Sequence, residues 1–79
     1  MPAARPGTRV DAVGLTCPLP VLMIRKALRG LPAGALVEVR ASDPLARIDI
    51  PHFCAENGHT FLGDSECGEV FVFRLRKGP

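Results

Sequence analysis

One cysteine of the chain directly precedes a proline-rich helix start, in the stretch Gly14-Leu15-Thr16-Cys17-Pro18-Leu19-Pro20. Proline suits the first turn of a helix, because its fixed φ is helical and its missing N–H would have no partner there. The pattern predicts a strand-to-helix turn at Gly14, with Cys17 at the N-cap and Pro18 at the first helical position. Unpaired N–H groups and the helix dipole favour a thiolate there, so we expect a lowered Cys17 pKa.

The motif around Cys17 has a second interpretation, because most free cysteines are small buried packing groups. Cys-Pro-x-Pro taken alone leaves nucleophilic chemistry and packing open. Cys54 follows the apolar pattern of a later helix and is expected to pack in the core. Cys67 lies in the acidic run 64–69 and is expected to be an exposed thiol in a turn. Neither is predicted to lie close enough to Cys17 to react with it.

The composition is that of one small soluble domain. The chain has 79 residues, of which 47% are hydrophobic and 23% charged, which excludes disorder of the whole chain. A net charge of +2 does not by itself indicate nucleic acid or a membrane as partner. No apolar run of about 20 residues is present, so no membrane span is expected. Three widely spaced cysteines without a secretory signal predict a cytoplasmic protein with free thiols, and nothing requires more than a monomer.

The hydrophobic pattern predicts the order βαβαββ. We expect a flexible N-terminus over residues 1–8, a single domain over 9–79, strands over 9–12, 35–41, 60–63 and 70–76, and helices over 18–29 and 45–57. Asp43 should cap the second helix, and Pro51 should kink or split it. Right-handed crossovers place both helices on one face of the sheet, so the fold class is α/β, a two-layer sandwich.

Three segments carry a resemblance to a known family: the run from Asp11 to Leu28, Ser42-Asp43-Pro44-Leu45-Ala46, and Asp49-Ile50-Pro51. Together they resemble the TusA (SirA-like) sulfur-carrier family over all but the first eight or so residues. The resemblance implies a mixed four-stranded sheet. It also implies that Cys17 takes sulfane sulfur as a persulfide from a cysteine desulfurase and relays it to an acceptor protein, most often for 2-thiouridine formation at the tRNA wobble position. Delivery to molybdenum cofactor or to sulfur oxidation is the alternative within this fold.

The same resemblance suggests roles for further residues. Gly14, Pro18 and Pro20 would shape the cysteine turn. Arg25 and Lys26 would by default belong to a solvated helix face, and the resemblance makes them candidates for docking partner proteins. Asp49 is expected to be a surface group or to bond local backbone. No bound cofactor is needed, because the cargo is carried covalently.

Two other functional classes are less well supported by the residues. His52, His59 and the three cysteines lack the short spacings of a metal site, so no metal is predicted. Direct tRNA binding is disfavoured, because the basic residues expected on the open sheet face lack the exposed aromatics on which RNA bases stack. These basic residues are Arg9, Arg40, Arg74, Arg76 and Lys77. A small non-catalytic protein-interaction or regulatory module remains the main rival to a sulfur carrier.

Overall fold

A computed structural model describes residues 7–79. The elements in chain order are β1 (Thr8–Ala12), α1 (Leu19–Leu28), β2 (Leu36–Ala41), α2 (Ala46–Asn57), β3 (Thr60–Cys67) and β4 (Val70–Arg76). The order βαβαββ is therefore as predicted. Of the N-terminus expected to be flexible, residues 1–6 lie outside the described part, whereas Thr8 already belongs to β1.

The four strands form one mixed sheet in the order β1-β2-β4-β3. β1 and β2 run parallel, while β4 pairs antiparallel with β2 on one side and with β3 on the other. Val10 lies opposite Val39, which lies opposite Phe73, so these three side chains share one face of the sheet. The predicted mixed four-stranded sheet is confirmed.

A single core lies between this face and the two helices. The strands contribute alternate residues, among them Val37, Val39 and Phe73, and the helices contribute residues such as Ile24 and Ile50. The intervening strand residues are exposed, as Arg9, Arg40 and Arg74 are, or half-buried, as Glu38 and Val72 are. Both helices therefore cover one face of the sheet and leave the other open, which confirms the predicted two-layer sandwich.

The helices differ from the prediction in two details. α1 begins at Leu19 with Pro18 as its N-cap residue, one position later than predicted. α2 runs without interruption across Pro51, which is its sixth residue, so the predicted split is absent. Pro51 cannot donate to the carbonyl of Arg47 one turn earlier, but Arg47 is exposed and water can supply the bond. Packing of Ile50 and Phe53 against the sheet favours the continuous helix.

β3 is longer than predicted. Residues 64–67 were expected to form a turn, but they continue β3 and pair with β4 up to Cys67 opposite Val70. The turn itself is only Gly68-Glu69, with Gly68 at φ +63°. The polar composition of this run was misleading, because an edge strand with exposed side chains can be held by backbone hydrogen bonds to its neighbour. Within residues 7–79, neither helix combines the length and the apolar character needed to cross a bilayer.

Candidate functional site

Two loops meet at one end of the sheet, because the parallel strands β1 and β2 both have their carboxyl ends there. The loop after β1 carries Cys17, and the loop after β2 carries Ser42 and Asp43. The Gly14 N–H donates to Ser42 Oγ at 2.8 Å, and the Cys17 N–H donates to Asp43 Oδ2 at 2.8 Å. The β2–α2 loop therefore fixes the backbone that carries the thiol.

The loop before α1 turns at Gly14, which has φ +87°, a conformation that glycine adopts without a steric penalty. The Leu15 N–H donates to the Ala12 carbonyl at 3.2 Å, and the Leu19 N–H donates to the Thr16 carbonyl at 2.8 Å. The Cys17–Pro18 peptide bond is cis, and Pro20 is buried. Gly14, Pro18 and Pro20, the residues expected to shape the turn, thus lie in the turn or directly after it.

Cys17 is half-buried, and its thiol donates a hydrogen bond to the carboxylate of Asp49 in α2. The hydrogen bond to Asp49 raises the pKa of Cys17, and partial burial and the negative charges of Asp49 and Asp43 act in the same direction. The predicted lowering of this pKa is wrong, as is the N-cap position, which Pro18 occupies. Adjacent carboxylates outweigh a helix dipole whose effect falls off within one turn.

The two aspartates hold different parts of Cys17. Asp43 was predicted to cap α2, but the N-cap residue is Leu45 and no side chain caps this helix. Asp43 Oδ1 instead accepts the N–H of Leu45 at 3.0 Å, just before the helix begins. Its other oxygen accepts the Cys17 N–H, and these two bonds lower the pKa of Asp43. Asp49 was expected to face solvent or bond local backbone, but it contacts a thiol 32 positions away in the chain. Only the recurrence of both aspartates in the family pattern hinted at these contacts.

A groove of about 280 Å³ between α1 and α2 begins at Cys17 and Asp49. Arg25 and Phe53 line it further along, and the Arg25 guanidinium carbon lies 5.3 Å from the centre of the Phe53 ring. Lys26 instead lines a different depression, beside Met23 and near β1. The two docking candidates therefore face different surfaces, and only Arg25 shares the groove with the thiol.

Exposed apolar side chains also occur on the elements that carry Cys17 and Asp49. They belong to the loop before α1 and to the first turns of both helices: Val13, Leu19, Leu22, Leu45 and Ile48. Ile48 is 67% exposed and directly precedes Asp49 in the chain. Groups of exposed apolar side chains of this kind are typical of protein-binding surfaces. Sequence periodicity missed them, because it assigns apolar residues to the core.

The two histidines have partners of their own. His52 Nε2 lies 3.4 Å from a carboxylate oxygen of Glu56, and His59 Nδ1 accepts the Gly78 N–H at 2.9 Å. Within the described part of the chain, no three His, Cys, Asp or Glu side chains come together in a way that could hold a metal ion.

The other two cysteines lie away from the groove opening. Cys54 is 1% exposed in the core, and burial raises its pKa to about 11. Cys67 is exposed at the end of β3, the edge strand opposite β1. The predictions of a packing role for Cys54 and an exposed position for Cys67 are confirmed.

These environments predict different reactivities of the three thiols. At pH 7 a pKa near 11 leaves about one thiolate in ten thousand, so native Cys54 should resist iodoacetamide while Cys67 and, more slowly, Cys17 are alkylated. Peptide mass spectrometry before and after denaturation measures all three in one sample. Alkylation of native Cys54 at the rate of Cys67 would contradict its placement in the core.

The fold and the site define a class of protein: a small α/β domain that presents one half-buried thiol where two parallel strands end. Residues 8–77 match the model of the family described as Sulfurtransferase TusA. The chain belongs to the TusA family.

Individual relatives agree with this assignment. The sulfur carrier protein TusA of Pseudomonas savastanoi pv. phaseolicola is 44% identical over 70 residues, which cover 89% of this chain and 83% of that protein. The protein of the same name from Pseudomonas entomophila is 46% identical over 68 residues, covering 86% and 85%. Among solved structures, a SirA-like protein from Desulfitobacterium hafniense superimposes with a TM-score of 0.80 at 26% identity, covering 91% of this chain and 99% of that one.

Proposed function

We propose that this chain is a cytoplasmic sulfur carrier whose Cys17 holds sulfane sulfur as a persulfide. Its donor would be a cysteine desulfurase, and it would pass the sulfur to an acceptor protein, in the first instance for 2-thiolation of the tRNA wobble uridine. The relatives named sulfur carrier protein TusA support this proposal. No bound cofactor takes part, because the transferred sulfur is attached covalently.

The observation that carries the proposal is the placement of Cys17 at the opening of a groove, on a turn fixed by Asp43. A carrier thiol must reach a persulfide on another protein, since sulfur transfer proceeds by thiolate attack on sulfur. It must also lie away from thiols that would discharge the cargo. Cys54 is enclosed in the core. Cys67 lies on β3, the outermost strand on the side of the sheet away from β1.

The surroundings of the thiol also suit a protein partner. The exposed apolar residues Leu19, Leu45 and Ile48 lie on elements that flank Cys17, and Arg25 lines the same groove. A partner would bury apolar area near the reacting sulfur and meet a charge that helps to orient it.

Mass spectrometry tests the proposal. Incubation with a cysteine desulfurase and free cysteine should add the mass of one sulfur atom to the protein, in a form that dithiothreitol removes. Cys17→Ala should abolish this gain, because Cys54 is buried and Cys67, although exposed, lies outside the groove in which the donor would bind. A small interaction module without carrier function would gain no mass in any variant.

Two further variants act as matched controls. Cys67→Ala and Cys54→Ala remove one thiol each and should both retain the mass gain, after circular dichroism has verified that they are folded. Transfer from the loaded protein to candidate acceptors then separates tRNA thiolation from molybdenum cofactor supply and sulfur oxidation. Retention of the added sulfur by Cys17→Ala would contradict the assignment of the carrier residue.

A further inference from the structure

Asp49 is the side chain that contacts the sulfur of Cys17, and it comes from a different element. It lies half-buried in the first turn of α2 and lines the same groove as the thiol. Asp43 accepts a hydrogen bond from the backbone N–H of Cys17, and this bond stabilises the turn independently of Asp49. The contact between Asp49 and the thiol is therefore additional to what the loop needs for its conformation.

The carboxylate of Asp49 has no cationic partner within salt-bridge distance among the described side chains. The other charged or titratable groups near this end of the groove are Asp43, Arg25, His52 and Glu56. Asp43 is engaged by two N–H groups, Arg25 lies over the Phe53 ring, and His52 lies beside Glu56. Asp49 is thus the group placed to exchange a proton with the thiol.

We propose that Asp49 is the proton acceptor and donor for sulfur transfer at Cys17, an inference that rests on the proposed carrier function. As the Cys17 sulfur attacks the outer sulfur of a donor persulfide, its proton passes to the Asp49 carboxylate. The new S–S bond forms on Cys17 while the donor's S–S bond breaks, and that electron pair stays on the donor's inner sulfur. Protonated Asp49 then gives its proton to this leaving thiolate. No net oxidation or reduction occurs.

A carboxylate in this position has two opposing effects on the thiol. It stabilises the protonated form and so keeps the resting thiol mostly un-ionised, in agreement with the raised pKa of Cys17. Once protonated, it can also give its proton to the donor thiolate as that group leaves, and positioned acid–base groups contribute about 10²–10⁴-fold to steps with proton transfer. The choice of reagent separates the two effects. Iodide leaves iodoacetamide without a proton, so alkylation reports only the ionisation of Cys17. A thiolate leaves a persulfide more readily with a proton, so sulfur transfer also reports the proton relay.

The experiment compares full-length wild type and Asp49→Asn with two small reagents. With iodoacetamide, Asp49→Asn should alkylate Cys17 severalfold faster at pH 7, and its pH–rate profile should move to lower pH. With glutathione persulfide as the sulfur donor, the same variant should load Cys17 at least about tenfold more slowly, because the proton relay is lost. Both reactions are followed by peptide mass spectrometry at Cys17.

Two control variants make the result decisive. Asp49→Glu keeps a carboxylate and should recover part of the transfer rate, while Asp64→Asn removes a carboxylate on β3 and should change neither reaction. Slowing of both reactions in Asp49→Asn would indicate a merely structural contact and overturn the proposal, as would unchanged or faster sulfur transfer. Wild type that takes up no sulfur from either glutathione persulfide or a desulfurase would instead refute the carrier function itself.

Discussion

Replacing Phe73 with alanine should lower the free energy of unfolding by about 3–5 kcal/mol, because the change leaves a cavity in the middle of the core. Phe73 is fully buried on β4, an inner strand, and its ring lies 6.3 Å from that of Phe71 and 6.4 Å from that of Phe61, measured between ring centres. A chain of this length has a total stability of roughly 4–12 kcal/mol. The variant should therefore lose between about a quarter and all of the free energy of unfolding.

Urea denaturation followed by circular dichroism measures this loss, and Phe61→Ala is the matched control. Phe61 undergoes the same chemical change, but it is only half-buried and lies on the edge strand β3 beside a β-bulge. Its replacement should lower the free energy of unfolding by clearly less than that of Phe73. Equal losses at the two positions would show that the core does not centre on the face of β4 that contacts the helices.

Replacing Asp43 with alanine should slow persulfide loading of Cys17 by about ten- to a hundredfold, because a reacting group displaced by about 1 Å can lose that much rate. The carboxylate accepts the N–H groups of Cys17 and Leu45, one from each of the two loops that form the site. Without it both donors lose their partner, and the turn can move away from the groove. Loading by desulfurase and cysteine, timed by mass spectrometry, measures the effect.

Two milder substitutions test whether the loading rate depends on the hydrogen bonds of Asp43. Asp43→Asn keeps one side-chain oxygen and should fall between wild type and Asp43→Ala. Ser42→Ala removes only the acceptor for the Gly14 N–H and should slow loading less than Asp43→Ala. If Ser42→Ala proved as damaging as Asp43→Ala, the hydrogen bond at Cys17 would not be the contact that positions the thiol.

The parts of the fold predicted correctly from the sequence are those with strong periodicity. Val37 and Val39 alternate with Glu38 and Arg40, and Phe71, Phe73 and Leu75 recur at every second position of β4. All five are buried. The prolines after Cys17 marked the start of α1 to within one residue. These features depend on neighbours in the chain, so local rules suffice to find them.

The site was predictable only in part. Cys17 was identified from its motif, but the contact with Asp49 depends on how α1 and α2 pack together, which periodicity does not specify. For that reason the pKa of Cys17 was predicted in the wrong direction: a helix end is visible in the sequence, whereas a carboxylate brought in by tertiary packing is not. β3 was predicted too short for a similar reason, since its polar half is held by pairing with β4.

The parallel pairing of β1 and β2 has a consequence for folding as well as for chemistry. Thr8 lies opposite Val37 and Ala12 opposite Ala41, and the loops that follow carry Cys17 and Asp43. A slip of β1 by two residues would preserve which side chains point inward, yet it would displace Cys17 from its acceptor by about 6–7 Å. The reactivity of this thiol therefore reports correct strand alignment, and its labelling rate during refolding distinguishes the native topology from a mispaired one.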